Sequence, residues 1–204
     1  MITSNKDLMT QAREALSGRW GLAIGTFAVY ILIIAAFTLI SMKNQLLNWS
    51  SGIVLLLING AFMLGIATFS LAISRKKEAY VKMIFSGFKY FGKTLGLFLL
   101  ITLFVLLWML LLIVPGFIAA LSYSLAFFIL SDNPNIGIME AINKSKKMMY
   151  GYKWKLFCLC LRFIGWFLLG ILSLGIGLLW IAPYIQIGLA KFYEDVNANF
   201  VESQ

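Results

Sequence analysis

Histidine is absent from this chain, cysteine occurs twice and proline three times. Without imidazole the side chain most suited to proton transfer near neutral pH is missing, and so is the commonest metal ligand. Carboxylates are scarce as well. Asp7, Glu14, Glu78, Asp132, Glu140, Glu194, Asp195 and Glu202 are all there are, and none falls inside a long apolar run. That argues against a proton relay or a cation site of the usual carboxylate kind at mid-membrane depth. No phosphate-binding loop, nucleophile elbow or dinucleotide fingerprint is present. The expectation is a chain that is not an enzyme, with no cofactor and no metal. Cys158 and Cys160 stand two apart, where helical spacing turns them to different faces, so they read as small packing residues rather than a disulfide.

What the chain has in quantity is apolar sequence: 61% hydrophobic residues, 12% charged and a mean hydropathy of +0.91. A spanning helix needs about 20 apolar residues at about 1.5 Å rise each. Gly21 to Ile40 and Gly52 to Ser74 meet that length without a charge. Thr94 to Ser131 is uncharged over 38 residues, roughly 57 Å as one helix and almost twice the hydrocarbon core, so it must fold back. Pro115-Gly116 near its middle predicts helices over Thr94 to Val114 and Phe117 to Ser131. Leu156 to Ala190 repeats the pattern, with Arg162 inside it and a break at Ser173-Leu174-Gly175-Ile176-Gly177. The reading is all-α: a single integral membrane domain over 1–204, six transmembrane helices arranged as three hairpins.

The basic residues orient it, because Lys and Arg stay on the cytoplasmic side. With the N-terminus inside, fifteen of the seventeen Lys and Arg fall in cytoplasmic segments, Lys43 alone falls outside, and Arg162 lies within a span. Both termini are then cytoplasmic. The formal charge of +9 is gathered at one membrane face, where anionic lipid is a nearer partner than nucleic acid.

Each hairpin is preceded by a basic stretch ending in glycine and an aromatic or basic cluster: Ser17-Gly18-Arg19-Trp20, Ser86-Gly87-Phe88-Lys89-Tyr90 and Tyr150-Gly151-Tyr152-Lys153-Trp154. The spacing predicts amphipathic helices in the cytoplasmic interface. Their apolar stripes are Leu8, Ala12, Ala15 and Leu16; then Val81, Ile84, Phe85, Phe88 and Phe91; then Ile138, Ala141, Ile142, Met149 and Tyr152. Ser4 and Asp7 stand at capping-box spacing, Asn133-Pro134 offers a helix start, and Glu140 and Lys144 an i,i+4 pair. A threefold internal repeat, 1–74, 75–132 and 133–204, is one reading; basic aromatic loops common to any polytopic protein are the other.

Four segments carry a resemblance: Asn5 to Trp20, Leu107 to Gly116, Tyr123 to Pro134 and Glu140 to Trp154, extended by Ile181-Ala182-Pro183-Tyr184 and Phe192-Tyr193. Together they resemble bacterial integral membrane proteins of the domain-of-unknown-function 975 family. The resemblance implies the cytoplasmic membrane of a Gram-positive bacterium and a six-span fold related to membrane domains attached to glycerophosphodiester phosphodiesterases. It supplies no established activity and no functional residue.

Two groups of candidate site residues stand out. Arg162, Asp132, Asn59 and Gln186 form a candidate intramembrane polar site; Arg162 is expected to pair with Asp132, with headgroup snorkelling or a substrate contact as alternatives. Arg75, Lys76, Lys77, Lys144, Lys146, Lys147, Lys153 and Lys155 are candidate lipid-headgroup contacts. Gly21/Gly25 and Gly92/Gly96 have the spacing of close helix contacts. Two functions fit: a non-enzymatic scaffold or accessory protein engaging anionic lipid, a membrane partner or a second copy of itself, and a small-molecule or lipid transporter with Arg162 facing a polar cavity.

Overall fold

A computed structural model describes residues 3–42, 45–173 and 175–202, with side chains described outside 40–51, 53 and 201–202; Lys43 and Leu174 lie outside the described residues. The order is α1 (Asn5–Leu16), α2 (Trp20–Met42), α3 (Gln45–Ser74), a 3-10 helix (Val81–Tyr90), α4 (Phe91–Leu111), α5 (Ile113–Tyr123), α6 (Ala126–Asp132), α7 (Ile138–Met148), α8 (Lys153–Leu172) and α9 (Leu178–Glu202). There is no strand among the described residues. Among the described residues five segments are long and apolar enough to cross a membrane: Trp20–Leu39, Val54–Ser74, Val81–Leu111, Ile113–Asp132 and Lys153–Leu172. The expected sixth falls short, because α9 has uncharged sequence only from Leu178 to Ala190 before Lys191, Glu194 and Asp195.

Leu106 to Val114 are exposed without interruption, as are Trp166 to Leu169. Runs of that kind are intolerable against water and ordinary against lipid tails. The core lies elsewhere. α3 supplies Leu64, Ala67 and Leu71 to one buried cluster and Phe62, Ile66, Phe69 and Ile73 to a second, so it is wrapped on both sides.

Ring and side-chain contacts set the register of neighbours. Phe27 meets Phe69 and Tyr30 meets Phe62, so α2 and α3 run antiparallel. Phe104 meets Tyr123 while Gly116 sits against Met109, giving α4 and α5 the same relation. The helix break between them falls at Leu112, whose backbone is extended (φ −159°, ψ 140°), three residues before Pro115. Pro115 instead occupies the first turn of α5, where a helix does not need its missing N–H. The return leg is itself interrupted at Ser124-Leu125. The Ser122 carbonyl just before this break accepts a bond of 2.8 Å from the Ser145 hydroxyl of α7.

The segment expected as an amphipathic α-helix over 81–90 is a 3-10 helix packed on α3. At three residues per turn, Val81, Ile84, Gly87 and Tyr90 form one row, with Ile84 and Gly87 buried. Phe85, Phe88 and Phe91 form the next row, ring on ring at 6.3 and 6.4 Å. Backbone contact explains the tight winding: a Cβ on Gly65 would strike the Ile84 carbonyl, and one on Gly87 the Ala61 carbonyl. The α1 stripe of Leu8, Ala12, Ala15 and Leu16 is buried, with Ser4 capping the Asp7 N–H. α7 begins at Ile138 with Gly137 at its N-cap, not at Asn133-Pro134, because the Asn133 side chain closes its own turn by accepting from Asn135 N–H. Glu140 and Lys144 form no ion pair among the described residues.

Glycine geometry recurs at two corners. Gly18 between α1 and α2 and Gly151 between α7 and α8 share positive φ (74° and 82°), whereas Gly87 lies inside the 3-10 helix without it. Gly21, Gly25 and Gly92 face open space, and Gly96 meets only the Ile138 side chain, so neither small-residue pair mediates a close contact between spans.

Candidate functional site

The charged end of α9 is held by two polar clusters. In the first, Arg75 donates from Nη1 and Nη2 to the two carboxylate oxygens of Asp132 at 2.7 Å each and from Nε to Glu194 at 3.1 Å. Tyr193 donates its hydroxyl to Asp132 at 2.9 Å. Ser74 and Lys191 both donate to the other Glu194 oxygen, at 2.7 and 3.0 Å, and Lys191 also donates to the Ser74 carbonyl. In the second, Lys155 and Thr3 donate to opposite oxygens of Asp195 at 2.7 Å each. Five helices or their flanks (α1, α3, α6, α8 and α9) converge here.

Charge and burial act together on these groups. The Asp132 hydrogen bond, opposed by burial and aided by Glu194, holds the Arg75 guanidinium above its ordinary pKa. Burial first, then the Asp132 carboxylate, pushes the Tyr193 phenol up. For Asp195, burial alone would raise the pKa, but the Lys155 and Thr3 bonds outweigh it and hold the carboxyl below its ordinary value. Three cations face three carboxylates, and every oxygen of Asp132, Glu194 and Asp195 already has a donor. With every carboxylate oxygen engaged from within the chain, the arrangement is a clamp. Among the described residues no group of three or more Cys, Asp or Glu is placed to hold a metal.

This corrects the expected pairing. Asp132 belongs to Arg75, 57 residues away in sequence, and not to Arg162. Arg162 lies off the buried row of α8, made by Leu156, Leu159 and Phe163, and is exposed with no hydrogen bond or ion pair among the described residues. Asn59 has a buried Oδ1 without a partner, and Gln186 on α9 is half-buried; the structure does not gather either with Arg162 and Asp132 through a bond. Two expected headgroup contacts are likewise committed inside the protein, Arg75 to Asp132 and Glu194, and Lys155 to Asp195. Glu194, Tyr193 and Ser74 escape the sequence reading. The available signal was the pair of acids, Glu194 and Asp195, directly after an apolar helix, since buried carboxylates need cationic partners.

Other expected contacts remain free. Lys146 of α7 and Lys153 of α8 come together in a cleft of about 170 Å³ whose remaining walls are Trp108, Pro115, Ile118, Ala119, Ser122 and Tyr123. Lys76, Lys77, Lys144 and Lys147 form no ion pair among the described residues; Lys76 has φ 55°, and its carbonyl and that of Lys77 accept from Arg19.

Fold and surface define an all-helical protein with several long apolar helices, compatible with multiple membrane crossings. Within that class the chain belongs to a family of proteins of unknown function, DUF975, whose model matches residues 1–122 and 109–200. No curated protein and no solved structure matches it.

Proposed function

We propose that the protein is a non-enzymatic scaffold of the bacterial cytoplasmic membrane that crosses the bilayer six times, as three antiparallel hairpins, and engages anionic lipid at its basic, cytoplasmic face. The sixth crossing is supported by the course of α9. Its start packs against the far end of α8, where a Cβ on Gly170 would meet Leu178 and Ile181, and its charged end returns to Lys155 near the start of α8. The charges that make α9 too polar by composition are those neutralised by Arg75, Lys155 and Lys191 itself. α1, the 3-10 segment and α7 stand on the basic side of this arrangement as amphipathic elements, with Leu8, Ala12, Ala15 and Leu16 of α1, Ile84 of the 3-10 segment and Ala141 and Ile142 of α7 buried against the bundle while Phe85 and Phe88 stay exposed.

The observation that carries the lipid reading is the Lys146–Lys153 cleft. Two lysines from different helices line one cleft with the Tyr123 hydroxyl, the Ser122 hydroxyl being spent on the Ile118 carbonyl, and the cleft continues onto the exposed apolar residues Trp108 and Ile118. A phospholipid has that distribution: an anionic head with hydroxyl-bonding oxygens on an apolar chain. A lysine near such a charge contributes about 1 kcal/mol, roughly a fivefold change in affinity. Replacing Lys146 and Lys153 by Gln is expected to weaken binding of phosphatidylglycerol by about 25-fold in native mass spectrometry, in a salt-dependent way. Unchanged preference for phosphatidylglycerol over phosphatidylcholine defeats the reading.

A further inference from the structure

A second cleft, sharing no residue with the first, lies where α1, α2, α8 and α9 meet. It measures about 260 Å³ and is lined by Arg13, Trp20, Trp166, Trp180, Ile181 and Tyr184, so it gathers three of the chain's six tryptophans. Tyr184 is fixed from two directions: its ring takes edge contacts from Phe163 and Trp166 at 5.4 and 6.4 Å, and its hydroxyl donates to the Met9 carbonyl at 3.2 Å. Trp166 and Trp180 remain about half exposed. Close to them in sequence, Ile164, Phe167 and Ile176 are exposed apolar residues as well.

Its polar chemistry is one-sided. Arg13 is exposed and has no ion pair or hydrogen bond among the described residues, and the same holds for the indole N–H groups of Trp20, Trp166 and Trp180. Among the described residues no carboxylate lines the cleft. It therefore offers one guanidinium and several N–H donors, no anionic acceptor, and aromatic walls open to the bilayer. Guanidinium groups match phosphate oxygens as forked donors, and indoles are at home at the boundary between head groups and chains. A volume just below the usual ligand-pocket range of about 300–1,000 Å³ suits one head group and the start of one chain, not a whole lipid.

We infer that this cleft binds one anionic phospholipid from the bilayer, with Arg13 on the phosphate and an acyl chain between Trp166 and Trp180. The site is separate from the Lys146–Lys153 cleft, so each stands or falls alone.

The test uses the full chain, phosphatidylglycerol, and phosphatidylcholine of the same chains. Binding of successive lipids is read by native mass spectrometry, and chain contact by tryptophan quenching with bromine-labelled phosphatidylglycerol. Arg13→Gln is expected to weaken one phosphatidylglycerol site by about tenfold, and Arg13→Lys to recover part of the loss. The Arg13→Gln loss is expected to persist in the Lys146→Gln/Lys153→Gln background, which separates the two sites. Trp166→Phe/Trp180→Phe is expected to lose a share of the quenching that Trp108→Phe/Trp154→Phe retains. Arg13 has no structural partner among the described residues, so the Arg13→Gln melting temperature should match the wild type; equal phosphatidylglycerol binding by that folded variant overturns the proposal. Equal affinity for phosphatidylcholine at this site also overturns it.

Discussion

Asp132 accepts three bonds: two from one guanidinium and one from a buried phenol. Removing either side leaves the other charged in a half-buried setting, which costs more than the pair itself contributes. Arg75→Leu and Asp132→Asn are each expected to destabilise the protein by about 2 kcal/mol, discounted from the roughly 3–5 kcal/mol of fully buried pairs because both groups are partly exposed. The double variant should recover a measurable part of the sum in a cycle of detergent melting temperatures. Arg162→Leu should stay within about 0.5 kcal/mol of the wild type. Asp195 makes a pH-dependent counterpart. Its native pKa is depressed, so its contribution is complete above the ordinary carboxylate range and is lost as pH falls through that range toward the lower native value. Melting temperatures taken from about pH 7 down to about pH 3 should fall for the wild type, while Asp195→Asn should start lower and change less. That Asp132 needs a cation was readable from its chemistry. Which one it takes was not: Arg162 is 30 positions away and Arg75 is 57, and only the convergence of α3, α6 and α9 decides between them.

Among the elements, the 3-10 helix depends most on single atoms. Gly65 and Gly87 let its backbone touch that of α3, and no flexible side chain stands in the way to yield. Gly65→Ala and Gly87→Ala should therefore each cost about 1–3 kcal/mol, in the range of overpacked sites, and loosen the Phe62–Phe85–Phe88 ring contacts. Gly21→Ala and Gly25→Ala add a methyl to open space and should be neutral, or stabilising by up to about 1 kcal/mol through helix propensity. Hydrogen exchange over 81–90 beside melting curves separates the two pairs. The reverse result, tolerance at Gly65 and damage at Gly21, would reject the packing. In the sequence these glycines are alike except in spacing, and a helical period of about 3.6 residues over 81–91 merges two rows that a three-residue period keeps apart. Apolar length, by contrast, identified five apolar segments of membrane-crossing length directly, since bilayer thickness acts on composition alone, though not the break of the fourth into α5 and α6. The α4–α5 break was legible in kind but displaced, because proline is accommodated inside a first turn as readily as it ends a helix.

At the scale of the whole molecule, the Thr3 hydroxyl and the Asp195 carboxylate meet at 2.7 Å, which agrees with the even number of crossings proposed above. A path with an odd number of crossings would put them on opposite sides of the bilayer. The sequence reading reaches a sixth crossing from the apolar stretch ahead of Lys191; the charges of Lys191, Glu194 and Asp195 count against it by composition, and the structure supplies each of them with a partner. Single cysteines in a background lacking Cys158 and Cys160 read the arrangement in intact cells with a membrane-impermeant maleimide. A cysteine at Ile176, exposed between α8 and α9, is expected to label from outside. Cysteines at Lys6, Lys146 and Ala198, all exposed, are expected to label only after permeabilisation, in keeping with the basic face being cytoplasmic. External labelling at Ala198 without labelling at Lys6 would mean that α9 does not return, and the Thr3–Asp195 contact could not then exist in the membrane.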